Sequence, residues 1–214
     1  MLEKVIFDMD GLIFDTERLF MNCLKAIMAK QGFVLTEEIY ANTLGLSRKD
    51  CKVYMKSVFG ESYPFEENSD AARGEIAILA QNGLPVKDGI KELLSFLNEH
   101  KIECVVASSS ETEYIRLYLD KSGLLPYFSA LYGGETVVKS KPNPDIFLKA
   151  LGDTPKENTV ILEDSENGII AAFRAGIRVI CIPDLKRPSA DVLKKVFACV
   201  NSAADILKIE GLLC

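Results

Sequence analysis

Lys4-Val5-Ile6-Phe7-Asp8-Met9-Asp10-Gly11 is the stretch that decides how this chain folds. A β-branched, apolar run breaks off into two carboxylates one residue apart, followed by a glycine. Three later runs have the same character: Ile102 to Ala107 into Ser108, Thr159 to Leu162 into Glu163-Asp164, and Arg178 to Ile182 into Pro183. Hydrophobicity that is nearly continuous, without alternation, suits strands covered on both faces, as in a parallel sheet. Helix-like stretches lie among them: Gly89 to Asn98, Glu113 to Lys121, Asp145 to Leu151 and Gly168 to Ala175. Strands alternating with helices of about ten residues predict a doubly wound α/β fold. Such sheets bind ligands beyond the carboxyl ends of their strands. Three of the four runs end there in carboxylates or a hydroxyl.

The segment between the first run and the rest reads differently. Leu19 to Lys30, Arg48 to Val58 and Ala71 to Ala80 have amphipathic helical spacing, and no strand pattern interrupts them. An all-helical insertion over residues 16–82 is expected, returning through Gly83-Leu84-Pro85 into a core made of residues 1–15 and 83–214.

Composition narrows the function. Thirty-one acids against 25 Lys and Arg give a net charge of −6, and no basic run stands out. Such a surface repels polyanions, so nucleic acid is not an expected partner, and any phosphate site must supply its own local cations. No apolar run approaches the ~20 residues of a membrane helix, and Met1-Leu2-Glu3-Lys4 leads straight into a strand. A cytoplasmic protein without a membrane partner is expected. The six cysteines (Cys23, Cys51, Cys104, Cys181, Cys199 and Cys214) contain no CxxC pair, and Cys104 and Cys181 fall inside apolar runs. That pattern reads as reduced thiols in a cytoplasmic core. His100 is the one histidine, in a Glu-His-Lys context at a helix end, so a histidine-dependent triad is not expected.

Four groups of residues carry chemistry. In Asp8-Met9-Asp10-Gly11 the first acid can serve as a nucleophile and the second as a proton donor and acceptor, while Gly11 permits a sharp turn. Ser108-Ser109-Ser110 offers hydroxyls and amides to phosphate oxygens. In Ser140-Lys141-Pro142-Asn143-Pro144-Asp145, Asn143 reads as a helix N-cap and Pro144 as the first helical residue. Lys141 stands on a stiff flank just outside. Glu163 and Asp164 close a very apolar strand, where adjacent acids are costly unless paired or bound to metal. Oxygen ligands of that kind suit Mg²⁺. Taken singly, these are also an acidic turn, a helix cap, a surface lysine and a polar strand end. Their order on successive α/β elements is what assembles a nucleophile, an acid/base, a hydroxyl, a cation and a metal seat.

Phe7-Asp8-Met9-Asp10-Gly11-Leu12-Ile13-Phe14-Asp15-Thr16-Glu17, Ser108, Ser140 to Asp145 and Glu163 to Gly168 together resemble the haloacid dehalogenase superfamily. The branch resembled contains β-phosphoglucomutase and sugar-phosphate phosphatases. The resemblance spans essentially the whole chain. It implies a Rossmann-like parallel core with a helical cap, and a small phosphorylated metabolite as the partner; nothing in the sequence demands a second subunit, so a monomer is expected. It further implies that Asp8 becomes an aspartyl-phosphate, while Asp10 protonates the leaving oxygen and then activates water. Mg²⁺ would be bound by the Asp8 carboxylate, the Asp10 carbonyl and Asp164, with Glu163 direct or through water. Ser108, Ser109 and Lys141 would hold the phosphoryl group.

Within the helical segment, Gly45-Leu46-Ser47-Arg48 resembles the substrate-contacting loop of the mutases. Arg48 is the first candidate for selecting substrate, with Ser47, Glu17 and Arg73 beside it. Where a mutase carries a histidine shortly after its Asp-Thr pair, this chain has Phe20, and the stretch from Asp15 to Leu19 is closer to the phosphatases. Hydrolysis is therefore the first reading and a phosphosugar mutase the alternative. Receiver-type signalling modules also gather acids, a hydroxyl and a lysine around Mg²⁺. They place the phosphorylated aspartate after a later strand, and here the second run ends in serines. A binding protein without catalysis is a third reading, against which stands the presence of every catalytic group.

Overall fold

The structure is a computed structural model that describes residues 1–46, 48–209 and 211. Its sheet has six strands, all parallel. They are β1 (Lys4–Phe7), β2 (Glu103–Ala107), β3 (Ala130–Tyr132), β4 (Thr159–Glu163), β5 (Arg178–Cys181) and β6 (Ala198–Cys199). The spatial order is β3-β2-β1-β4-β5-β6. The chain runs outward from β1 to β3, then crosses back to β4 on the other side of β1. The carboxyl edge between β1 and β4 is therefore the point where strand order reverses, the usual ligand crevice of such sheets.

Alternate residues of each central strand face opposite layers, as the two-residue period of a strand requires. Val5, Phe7, Val106, Leu162 and Ile180 pack with α5 (Ile90–Glu99) and α6 (Thr112–Lys121). Ile6, Val105, Ile161, Val179 and Cys181 pack with α7 (Asp145–Leu151) and α8 (Glu166–Ala175). Each fully buried Ile, Val or Phe contributes about 1.5–3 kcal/mol of transfer free energy, so both faces of the sheet drive its formation. At the strand start, buried Lys4 donates to the carbonyl of Leu151 at 2.9 Å and pairs with Glu103 at 3.2 Å. The ammonium thus satisfies the carboxyl end of α7, where helix carbonyls lack partners.

Between β1 and α5 lie four helices: α1 (Thr16–Lys30), α2 (Glu37–Ala41), α3 (Arg48–Phe59) and α4 (Phe65–Ala80). They enclose a core of their own around Met21, Met28, Leu35, Met55 and Tyr63. The outgoing and returning connections pair with each other. Phe14 bridges Val86 antiparallel, Asp15 N–H donates to the Pro85 carbonyl at 3.3 Å, and Lys87 N–H donates to Ile13 at 2.9 Å. Among the described residues no helix is long and apolar enough to cross a membrane.

The structure departs from the sequence reading at four places. β3 and β6 are additional strands, short and only half-buried at the sheet edges, so their composition lacks the apolar signature of the centre. The five-residue α2 is capped by Thr36, whose hydroxyl accepts from Ile39 N–H. α4 starts at Phe65, six residues before the apolar pattern, with Glu66 and Glu67 in its first turn after Pro64. Asn143 is not a cap. Its amide donates to the Ser140 carbonyl at 3.1 Å, closing the Ser140–Asn143 turn, and Pro144 is the residue preceding α7.

Candidate active site

Asp8 follows β1, Glu163 ends β4, and Lys141 lies on the crossover that joins the two halves of the sheet. Their side chains meet in the crevice. The Lys141 ammonium, 6% exposed, donates to Asp8 Oδ1 at 2.5 Å, to Glu163 Oε1 at 2.7 Å and to the Ala107 carbonyl at 3.1 Å. Below it lies the Phe147 ring, 4.6 Å from Nζ, a cation–π contact that fixes the stem from α7. Burial alone would lower the Lys141 pKa, but the Asp8 and Glu163 carboxylates overcome it and hold the ammonium charged.

Glu163 is fully buried and fully engaged. Its Oε2 accepts from the backbone N–H groups of Asp164 and Ser165 at 3.0 Å and from the Ser165 hydroxyl at 2.9 Å. Ser165 in turn caps α8 by accepting from Gly168 N–H at 3.1 Å. Gly168 is required by close approach, since a Cβ there would lie 1.7 Å from Glu163 Oε1. Gly11 has φ +79°, and a Cβ would lie 2.4 Å from Asp164 Oδ2. The turn after β1 must therefore be glycine both for its backbone angle and to let Asp164 lie against it.

Carboxylate oxygens of Asp8, Glu163 and Asp164 all lie within 4.8 Å of one another. With one ammonium against three carboxylates, two negative charges are left uncompensated, the charge of a single divalent cation. Burial, with the charges of Glu163 and Asp10, pushes the Asp8 carboxyl up to about 8 even beside Lys141. Burial, then Glu163 and Asp8, raises Asp164 well above the ordinary carboxylate range. Carboxylates crowded and buried in this way are stabilised by a hard cation with oxygen preference, and the donor set fits one.

Asp10 points elsewhere. Its Oδ2 accepts from the hydroxyls of Ser108 at 3.2 Å and Ser110 at 2.6 Å, so its side chain is held at the floor of a cavity of about 950 Å³. Ser109 and Ser110 share that floor, and the first and fourth helices form the opposite wall. On this wall Glu17 accepts from the Tyr40 hydroxyl at 2.8 Å. Burial raises the Glu17 carboxyl above its ordinary value, opposed by that hydrogen bond and reinforced by the charge of Asp10. Arg48 also lines the cavity, held by Glu66 at 2.6 Å and Asp70 at 2.8 Å. Arg73, 3.4 Å from Asp70, lies 6.0 Å over the Phe20 ring.

Of the residues singled out in the sequence, Asp8, Lys141, Glu163 and Asp164 form one cluster, with Asp10 and Ser108 beside it. Ser109, Glu17, Arg48 and Arg73 line the adjoining cavity, and Ser47 lies outside the described residues. Three participants, Tyr40, Lys87 and Asp184, lie outside every motif read from the sequence, and Ser110 takes a part within its serine run that the sequence does not assign. Ser110 is the shorter hydroxyl contact to Asp10, Tyr40 holds Glu17, and Asp184 pairs with Lys87 at 2.5 Å next to the turn at Gly11. Asp184 follows the fourth apolar run by two residues. It stands past the carboxyl end of that run as Asp8 and Ser108 stand past theirs, with Pro183 between.

The sequence model of the haloacid dehalogenase-like hydrolases matches residues 5–182. A probable pseudouridine-5'-phosphatase of Drosophila melanogaster is 33% identical over 187 residues, covering 84% of this chain and 80% of that one. The phosphorylated carbohydrates phosphatase of Thermotoga maritima is 28% identical over 178 residues, covering 82% of each. Among solved structures, a candidate β-phosphoglucomutase from Thermotoga maritima superposes with a TM-score of 0.80 at 26% identity, over 97% of both chains.

The close packing around Glu163 yields a direct test. Gly168→Ala is expected to lower unfolding free energy by about 3 kcal/mol, since the added methyl must displace a buried carboxylate and Lys141 with it. Gly74→Ala, in α4 with open space around its Cβ, is expected to gain up to about 1 kcal/mol from helix propensity. Urea unfolding of the two variants measures the contrast, and equal stabilities would contradict the packing described.

Proposed function

The chain belongs to the haloacid dehalogenase-like hydrolase family, and from that premise we propose that it is a Mg²⁺-dependent phosphatase. Its substrate would be a small phosphate ester, a sugar phosphate in the first instance, hydrolysed through a phosphoryl group carried by Asp8. The observation that carries this reading is the buried Lys141 linking Asp8 to Glu163, with Asp10 held separately at the floor of a substrate-sized cavity. The names of the relatives support it, two being phosphatases and one of those acting on phosphorylated carbohydrates.

Asp8, Asp164 and the Asp10 carbonyl would hold the cation, with Glu163 direct or through water. Once bound, Mg²⁺ neutralises phosphate charge and so favours in-line attack. The Asp8 oxygen not engaged by Lys141 attacks phosphorus as the ester P–O bond breaks, and Asp10 gives its proton to the departing oxygen. Asp10 then takes a proton from water as that water attacks phosphorus, releasing inorganic phosphate and restoring the Asp8 carboxylate. Lys141 offsets charge on the transferring group, and Ser108 and Ser109 supply donors to its oxygens. Ser110 orients Asp10, and the single Ser108 hydroxyl proton, which lies on Asp10 in the free chain, turns to the phosphoryl oxygens. The division of labour follows the chain: residues 1–15 and 83–214 do the chemistry, and residues 16–82 select the substrate.

A phosphosugar mutase remains the second reading, because Arg48 lies on the cavity wall. Such an enzyme must hold a second phosphate at the cap while the sugar turns over. Here Glu66 and Asp70 already compensate Arg48, and Arg73 shares Asp70. A cap wall whose cations are spoken for favours hydrolysis of a monophosphate.

Asp8→Asn is expected to abolish Mg²⁺-dependent turnover of an aryl phosphate while the circular dichroism spectrum is kept; residual turnover near wild type would remove Asp8 from the nucleophile role. Asp10→Asn is expected to slow steady-state turnover about 10²–10⁴-fold. With an aryl leaving group that needs no proton, this variant accumulates phospho-enzyme, seen as an initial burst, and an unchanged steady state would contradict its role. Asp70→Asn frees part of the cap charge. The KM for a sugar bisphosphate is expected to fall about two- to five-fold, in keeping with a partly exposed ion pair, with that for the aryl phosphate unchanged. Equal shifts in both would show that the cap arginines do not read the distal end.

A further inference from the structure

Asp184 lies on the loop after β5, whose neighbour in the sheet is β4. Its side chain is 7% exposed. One oxygen, Oδ1, receives the Lys87 ammonium at 2.5 Å, whereas Oδ2 is buried without a hydrogen-bond partner. A buried carboxylate oxygen left in that state is unfavourable, and it is rare unless a ligand or ion completes it.

The position of Oδ2 narrows what could complete it. A Cβ built on Gly11 would lie 2.4 Å from Asp164 Oδ2 and 3.2 Å from Asp184 Oδ2, so the two acids converge over the turn that carries Asp8 and Asp10. Asp184 is nevertheless outside the set of carboxylates close enough together to share one ion, which comprises Asp8, Glu163 and Asp164 among the described residues. Lys87 reaches Asp184 from the returning connection, where its backbone N–H binds the Ile13 carbonyl at the far end of the same turn. The ammonium offsets the charge of Asp184. The pair therefore brings a hydrogen-bond acceptor to the edge of the acidic cluster without adding net charge to it.

We propose that Asp184, anchored by Lys87, is a positioning residue for the metal: its Oδ2 accepts a hydrogen bond from a water carried by the cation that Asp8 and Asp164 hold. Mg²⁺ usually keeps several waters when bound by one or two carboxylates. Groups that orient such an outer layer typically govern affinity by 10–100-fold. This inference rests on the metal-dependent reading of the site.

The test is calorimetric titration of the purified chain with Mg²⁺, repeated with Mn²⁺ followed by electron paramagnetic resonance. Asp184→Ala is expected to weaken both affinities about 10–100-fold. Asp184→Asn, which keeps an amide oxygen as acceptor, is expected to recover most of the loss, a rescue that a purely structural ion pair would not give. Lys87→Met, which releases the anchor, is expected to fall between wild type and Asp184→Ala and serves in its place should the alanine variant fail to fold. Asp164→Asn is the control and is expected to abolish binding. Wild-type affinity in the folded Asp184 and Lys87 variants, with binding lost in Asp164→Asn, would overturn this inference and leave the metal reading standing. Wild-type affinity in Asp164→Asn as well would overturn both.

Discussion

One buried ammonium holds the site together. Lys141 satisfies its charge on Asp8 and Glu163 and its remaining hydrogen-bonding capacity on the Ala107 carbonyl. In doing so it joins β1, β2, β4 and the crossover that precedes α7. Buried charges are tolerated only when paired and hydrogen-bonded, so each of these segments is constrained by the others. Removing the lysine would leave two carboxylates beside Asp164 with no cation among them, which is the condition in which buried acids take up protons or the fold loosens. The same arithmetic makes the site reactive. One ammonium is too little charge for three acids, and under the proposed function that deficit would draw in a divalent ion and, with it, a phosphate dianion.

The sequence disclosed this cluster because strands covered on both faces have almost no polar residues until they end. Asp8, Ser108 and Glu163 are conspicuous for that reason, and Gly11 and Gly168 signal close approach. Less was legible where burial is partial. β3 and β6 lie at the edges of the sheet, half-buried, so Ala130–Tyr132 and Ala198–Cys199 carry no distinctive pattern. Asn143 has the composition of a cap, yet its side chain closes a local turn, a choice between two hydrogen bonds that one-dimensional spacing does not determine. Ser110 and Ser109 are indistinguishable in sequence; only the backbone path after β2 turns the former onto Asp10. Lys87 and Asp184 are 97 residues apart, and nothing local to either announces the other.

The helical segment shows a different balance. Its aromatic and sulfur-rich core contains no strand residue, while the cavity it closes over Asp10 mixes rings with charge. Glu17 is buried and accepts from the Tyr40 hydroxyl, and the two arginines are matched by acids on α4. Such a wall suits hydroxyl groups and a flat apolar face better than a second anion. Under the proposed function, the phosphate end of a substrate would meet the fixed charge of the sheet crevice, and its other end would meet Glu17, Tyr40 and the paired arginines of the helices.

The most direct measurement is a crystal structure of the chain grown with Mg²⁺ and beryllium trifluoride, which mimics a phosphoryl group on a carboxylate. The account predicts beryllium bonded to an oxygen of Asp8, the cation against Asp8 and Asp164, and the Lys141 ammonium facing the fluorides. Beryllium on any other side chain, or a cation seated away from Asp164 with Asp8 unmodified, would contradict it.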